Sequence, residues 1–197
     1  MTSMLQEIYY KLSALLYKRK LNTGKSPQIR LGATVINGKY ITFGDNVIMG
    51  KDLVMAVYPE HCGKVNPVKT KKDGGIKVGD HVSGNRRITI YCADSVKIGN
   101  DVLLGSDILI TDNNHGMNPE AGEYIDQPLT TAPTEIGDGC WIGEQVCILA
   151  GSKIGEKCVI AAGSVVTGEI PPYSIAAGAP AKVIKRWNSE KKAWEKC

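Results

Sequence analysis

Aromatic mass is scarce in this sequence: one Phe, eight Tyr and three Trp in 197 residues. A conventional globular core draws on aromatics, so the core here must be aliphatic. Long apolar runs are missing too, and without about 18 apolar residues in a row no helix can span a membrane. The six cysteines at 62, 92, 140, 147, 158 and 197 include no CxxC pair. Zinc-type spacing is therefore absent, no secretory signal precedes them, and reduced thiols in a cytoplasm are expected. A basic stripe is lacking as well. The net charge is +4, but residues 1–20 carry +3 and residues 182–197 carry +4, which leaves −3 for the body. A nucleic-acid-binding face needs cations and stacking aromatics along the folded surface, so that class is excluded.

What the sequence does have is glycine, 22 of them, much of it in register. Gly32, Gly38, Gly44 and Gly50 lie six apart, and the register returns at Val78-Gly79, Ile98-Gly99 and Leu104-Gly105. It runs longest through Ile136, Ile142, Ile148, Ile154, Ile160 and Val166. Period six fits neither a helix nor a plain strand, so each hexad is a short extended piece followed by a turn. Gly-Asp and Gly-Asn pairs supply the corners. A second small or branched residue follows each aliphatic one four places later (Val47, Val102, Ile108, Cys140, Val146, Cys158, Ser164) and also points inward. With three hexads to a triangular coil, about 16 hexads stack into about five coils at the strand spacing of a sheet. The expected fold is an all-β solenoid, a parallel β-helix over residues 29–178.

Residues 1–28 form the preceding unit, in which Leu5, Ile8, Leu12, Leu15 and Leu16 stand at helical spacing. An amphipathic helix is expected there, packed over the solenoid's end or against a neighbouring subunit, with weak membrane-surface association as the other reading. The basic tail, residues 179–197, is expected to end in a short helix from Trp187 to Cys197.

Two inserts break the rhythm, at 56–75 and 111–135. Long loops inserted in compact folds are usually functional or disordered. The second holds His115, and an imidazole can accept a proton near neutral pH, as few side chains can. His115 is therefore the candidate general base. His61, in a lysine-rich loop, and His81, at a regular corner, are assigned no duty.

The hexads, the His-bearing interruption, TEIGDGCWIG after it and IAAGSVVTGEIPPYSIAAGAPAKVIKR near the end together resemble the hexapeptide-repeat acyltransferases. Within them the chain is most similar to the maltose, galactoside and surface-polysaccharide O-acetyltransferase branch, over roughly residues 30–187. The resemblance implies a left-handed coil, an exception to the usual crossover handedness, together with a homotrimer and acetyl-CoA bound in grooves between subunits. It implies acetyl transfer to a hydroxyl of a sugar or surface-polysaccharide precursor, with His115 as base and no metal. For the coenzyme it points to Trp141, Gly143, Glu144, Ala161, Ala162, Thr167 and Gly168, and to Lys182, Lys185 and Arg186 for the phosphates. For the acceptor it points to Asn85, Arg87, Tyr91, Asp112 and Asn114. Glu144 stands where the family often has a small or hydroxyl residue; a backbone N–H there could still hold an oxyanion.

Other classes fit less well. A γ-type carbonic anhydrase needs clustered histidines, whereas these lie 20 and 34 residues apart in sequence. A scaffold solenoid would carry no inserted loop with a family-matching His. An antibiotic-modifying enzyme or a sugar-nucleotide N-acetyltransferase of the same fold stays open.

Overall fold

A computed structural model describes residues 8, 9, 12, 13, 15–17 and 20–197. From Asn22 the chain winds as a parallel β-helix, each coil laying one short strand on each of three faces. The first face stacks Asn22–Thr23, Ile41–Phe43, Gly75–Val78, Ser95–Ile98, Thr134–Ile136, Lys153–Ile154 and Glu169–Ile170. The second also carries seven coil strands, from Gln28–Ile29 to Ser174–Ala177, and the third carries six, from Thr34–Ile36 to Val165–Val166. The stack thus has six full coils and part of a seventh, more than the about five that uniform hexads give. One part of the added height is the first coil, which starts at Asn22, ahead of the boundary at 28, where the glycine register is imperfect; the strands from residue 29 onward already make six coils.

The hexad rule sets what is inside. Inward positions align from coil to coil, so Ile29, Met49, Leu104, Ile142, Ile160 and Ala176 form one fully buried row. The second inward set, Val47, Val102, Ile108, Cys140, Val146, Cys158 and Ser164, is buried as its spacing requires. Gly84 interrupts the first row because a Cβ there would come within 2.5 Å of Ile88 Cδ1 and 2.8 Å of the Met49 sulfur. Each buried Ile or Val side chain is worth about 1.5–3 kcal/mol, which replaces the missing aromatics by number.

Corners stack as well. The side-chain oxygens of Asp80, Asn100 and Asp138 accept from the backbone N–H of Asp45, Asp80 and Asn100 in turn, at 2.7–2.8 Å. The residue after each takes a left-handed conformation, Asn46 at φ 57°, His81 at 55° and Asp101 at 55°. His81 is thus a corner residue, facing Asp101 across 3.5 Å.

At the N-terminal end the expected helix meets the first coil, but not by its leucine face, and the C-terminal end differs from expectation. Ile8, Leu12, Leu15 and Leu16 are helical but exposed, while Leu5 lies outside the described residues. The helix instead meets the first coil through tyrosines: Leu31 N–H donates to Tyr9 Oη at 2.6 Å and Ala33 N–H to Tyr17 Oη at 2.9 Å. At the other end no helix forms. Lys182–Asn188 runs antiparallel to the last coil strand and pairs with Ala193–Lys196 to make a hairpin. The Asn188 side chain accepts from Glu190 and Lys191 N–H at 3.0 Å, a local turn that competes with helix, and Trp187 meets Trp194 edge to face at 5.4 Å.

Candidate active site

The insert at 111–135 is an ordered arm. It leaves the third face after Ile108–Thr111, pairs Asn113–Asn114 antiparallel to Thr130–Thr131, and rejoins the coil at Thr134. Its root is fixed by Asp112, which is fully buried. One carboxylate oxygen accepts from Ala93 N–H at 2.8 Å and Asn113 Nδ2 at 2.9 Å, the other from Asp94 N–H at 2.8 Å and the Cys92 thiol at 3.2 Å. A buried carboxylate is tolerable only when its lone pairs are filled in this way. The tip is held by buried Gln127, whose amide bonds Asn118 and Gly122. Gly116 follows His115 because a Cβ there would meet Gln127 at 2.7 Å.

The insert at 56–75 forms the facing wall. Glu60–His61 and Lys64–Val65 close a hairpin around Cys62 and Gly63, which both have positive φ, 49° and 71°, as a tight two-residue turn demands. Its short helix, Pro67–Thr70, is anchored by Asn66, whose amide donates to Tyr58 O at 2.7 Å. Lys71 then pairs with the buried Asp94 at 2.6 Å, and Cys62 Sγ reaches the Ile125 carbonyl of the other insert at 3.3 Å.

Between the two inserts lies a cavity of about 520 Å³ lined by Tyr58, His61, Tyr91, Leu109, Thr111, Asn113, Asn114, His115 and Leu129. No Lys, Arg, Asp or Glu lines it. The His61 and His115 rings meet edge to face at 5.2 Å, and Tyr58 tilts against Tyr91 at 6.1 Å. Burial first, then the neighbouring Tyr91, holds the Tyr58 phenol above the ordinary tyrosine range, so it stays a protonated donor at neutral pH.

Of the expected acceptor residues, Tyr91 and Asn114 therefore line the cavity with His115, and the others do not. Asp112 is a buried anchor with no exposed oxygen. Arg87 is spent on an ion pair with Asp107. Asn85 sits by Arg86 and Arg30 in a separate hollow. Sequence spacing also missed His61: 54 residues from His115 in sequence, it reaches the cavity only because both inserts leave the same face of the coil.

The residues expected to hold the coenzyme lie elsewhere on the chain, and none lines the His115 cavity. Trp141 is exposed on the second face, in a row with Val159, Ile175 and Lys185. Gly143 is required at its corner, since a Cβ would come within 2.7 Å of Ala162 N. The Glu144 carboxylate is engaged by Ser106 N–H at 2.6 Å, and its carbonyl accepts from Gly163 at 2.8 Å. Ala161 bonds Ala176 O at 2.9 Å, Ala162 and Thr167 are exposed, and the Gly168 carbonyl accepts from Lys153. The three cations assigned to the phosphates lie on two sides of one strand. A bulge between Ile175 and Ala176 sets Lys182 opposite Ala177 and Lys185 opposite Ile175, on the outer side, whereas Arg186 lies opposite Ser174. Directly paired residues point to the same side of a sheet.

Comparison with known proteins decides the family. The Bacterial transferase hexapeptide (six repeats) model matches residues 133–168. WbbJ of Escherichia coli K12, named for lipopolysaccharide biosynthesis O-acetyl transfer, is 35% identical over 175 residues, 85% of this chain and 83% of its own. This chain belongs to the hexapeptide-repeat acyltransferases. The galactoside O-acetyltransferase of Escherichia coli K12 is 36% identical over 142 residues, 71% of this chain and 68% of its own. Among solved structures, AntD, an N-acyltransferase from Bacillus cereus in complex with coenzyme A and dTDP-4-amino-4,6-dideoxyglucose, superposes with a TM-score of 0.70 at 17% identity, covering 91% of each chain. A galactoside acetyltransferase in complex with coenzyme A gives 0.58 at 24% identity, over 92% of this chain and 72% of that one. At those identities the likeness establishes the fold: the coil is the left-handed parallel β-helix of hexapeptide acyltransferases. As a member of this family the chain is an acetyltransferase. Among the described residues no group of three or more His, Cys, Asp or Glu is gathered as a metal site, and no helix is long and apolar enough to cross a membrane.

Proposed function

We propose that this acetyltransferase moves the acetyl group of acetyl-CoA to a hydroxyl of a saccharide, of the kind built into surface polysaccharides, with His115 as general base. The observation that carries the reading is the arm rooted on Asp112, which projects His115 into a cavity walled by tyrosines and amides and free of fixed charge. Such walls suit a neutral sugar: aromatic faces meet its C–H groups and amides its hydroxyls. His115 takes the hydroxyl proton as the oxygen attacks the thioester carbonyl. The tetrahedral intermediate expels the thiolate, which recovers that proton from the imidazolium, leaving an O-acetyl sugar and free coenzyme A. With the Glu144 carboxylate already engaged, any oxyanion donor at this corner is a backbone N–H.

The coenzyme is assigned to the second face. Trp141, Val159, Ile175 and Lys185 span three strand spacings, about 14 Å, which gives an apolar track for the pantetheine arm ending at cations for phosphate. His115 rises from another face, so in this reading the base of one subunit meets the track of its neighbour, and the active form is a trimer. The sheet faces agree with such packing. Outward residues of the first face include Lys77, Lys97, Glu135, Lys153 and Glu169, whereas those of the third are Thr34, Val54, Thr89, Leu109, Cys147 and Val165, with no charge. The exposed leucine face of the N-terminal helix is likewise assigned to a subunit contact.

The test uses acetyl-CoA, a panel of methyl glycosides and a free-thiol readout. Wild-type protein should release coenzyme A in a glycoside-dependent way. His115→Ala should keep its melting temperature and acetyl-CoA affinity but turn over roughly 10²- to 10⁴-fold more slowly, the weight of a positioned base. Near-normal turnover by that variant would sink the mechanism. A stable, active monomer in sedimentation would remove the intersubunit site.

A further inference from the structure

A second hollow, of about 700 Å³, opens toward the N-terminal end of the second face, along Ile48–Met49 and Ser83–Gly84. Arg30, Lys51 and Arg86 line it together with Ser83, Asn85 and Ser106, and among the described residues no Asp or Glu does. Three cations thus gather in a body, residues 21–181, whose net charge is −3. The floor is kept open by small residues, and Gly50 can carry no side chain because a Cβ there would strike the Asn85 carbonyl. Neither Lys51 nor Arg86 has an ion-pair partner among the described residues. Asp107 is taken by Arg87, and the Glu144 carboxylate by Ser106 N–H at 2.6 Å. Arg30 is set over the Tyr9 ring at 6.0 Å. Cations that converge without a counter-charge repel one another, and an anionic ligand removes that cost.

The hollow is also in line with the coenzyme track. Ser83, Leu103, Trp141, Val159, Ile175 and Lys185 form one outward row on the second face. Ser83 stands two strand spacings from Trp141, about 10 Å, on the side away from Lys185. A thioester at the Trp141 end of the pantetheine arm therefore has the coenzyme phosphates on one side and this second cationic group on the other.

We infer that the hollow binds a phosphate group of the acceptor, so that the substrate is a saccharide carrying a phosphate or diphosphate ester at its anomeric carbon. This rests on the reading in which a saccharide hydroxyl meets the thioester on the second face, under His115 of a neighbouring subunit. One hexose with its anomeric phosphate bridges the span from thioester to hollow. The sugar ring then occupies the cavity without charged walls, and its phosphate lies on Lys51 and Arg86. Arg86 can grip two phosphate oxygens at once, and Lys51 adds a point charge. A nucleoside diphosphate sugar and a lipid-linked diphosphate sugar share this chemistry.

The experiment supplies acetyl-CoA with a panel of hexoses, each as methyl glycoside, glycosyl 1-phosphate, nucleoside diphosphate ester and short-chain polyprenyl diphosphate ester. The proteins are wild type, Lys51→Gln, Arg86→Gln and the double variant; both side chains are exposed, so all four should melt alike. Wild type should use a phosphorylated form with kcat/KM about 10- to 100-fold above that of the methyl glycoside, the weight of a charged hydrogen bond. Added salt should shrink that advantage. The better of the two diphosphate esters identifies the source. The double variant should lose most of the advantage through KM, while its acetyl-CoA affinity stays and its rate on methyl glycosides changes much less. Equal kcat/KM for neutral and phosphorylated forms in wild type, or equal losses on both in the double variant, would overturn the inference and leave the saccharide reading and His115 in place. If none of the four forms speeds release of coenzyme A, the saccharide reading falls, and this inference with it.

Discussion

Replacing Asp112 by Asn distinguishes an anchor from a ligand contact. The two side chains are nearly isosteric, so only charge and donor pattern change. Asp112 accepts four hydrogen bonds, two of them from the main-chain N–H groups of Ala93 and Asp94, and none of its surface is exposed. Asn offers one acceptor oxygen and turns an NH₂ group toward the other donors, so at least one N–H and the thiol lose their partner. A charged hydrogen bond contributes about 1.5–3 kcal/mol and a stranded buried donor costs about 1–3 kcal/mol. The expected loss is roughly 3–5 kcal/mol, a large share of the stability of an ordinary domain. Urea denaturation should show a lower midpoint, and native-state hydrogen exchange should show the amides of Ala93 and Asp94 losing protection first, because the arm's root opens before the coil. Turnover should fall through kcat, as His115 loses its placement. A variant with an unchanged midpoint and a raised KM for acceptor alone would refute this reasoning and return Asp112 to the acceptor site.

Other outcomes follow from the same geometry. Lys182→Ala with Lys185→Ala should weaken binding of whole coenzyme A by about tenfold or more and that of pantetheine little, since only the former carries the phosphates; in calorimetry, equal losses would mark both lysines as solvated. Arg186→Ala should matter less, because its side chain is set on the other side of the strand. Burial, followed by the Asp112 carboxylate, pushes the Cys92 thiol far above the ordinary range, so at pH 8 a disulfide reagent should modify exposed Cys62 and Cys197 rapidly and Cys92 only on unfolding. The sign of the linkage follows: the stability gained from keeping this thiol protonated is fully present below the ordinary thiol pKa and declines as pH climbs above about 8.5. A denaturation midpoint that rises over that interval, in a form with the exposed cysteines replaced by Ser, would contradict it. Ile148→Ala, in a fully buried row, should cost about 2–5 kcal/mol without altering KM; a change below 1 kcal/mol in urea titration would mean the coil core is looser than its burial implies.

The sequence by itself determined the coil, because a hexad period is a local code: each aliphatic residue, its following glycine and the corner Asp or Asn decide the conformation of their own six residues, and identical units can only stack. The inward rows from Ile136 to Val166, the thiols buried among them and the place where the rhythm breaks at His115 were all legible for that reason. Local spacing has no term for what lies across a gap. It could not show that two separate inserts would bring His61 against His115, 54 residues further on, that Asp112 would turn inward to receive Ala93 and Asp94 rather than outward to a sugar, or that Tyr9 and Tyr17 would hold the N-terminal helix while its leucines stay exposed. Nor could it read the tail, where Lys182–Asn188 took the open edge of the last coil and Ala193–Lys196, in the stretch expected as helix, then paired with it as a strand. Backbone donors and acceptors at an open sheet edge must be satisfied by whatever chain comes next, and only the tertiary structure determines which chain that is.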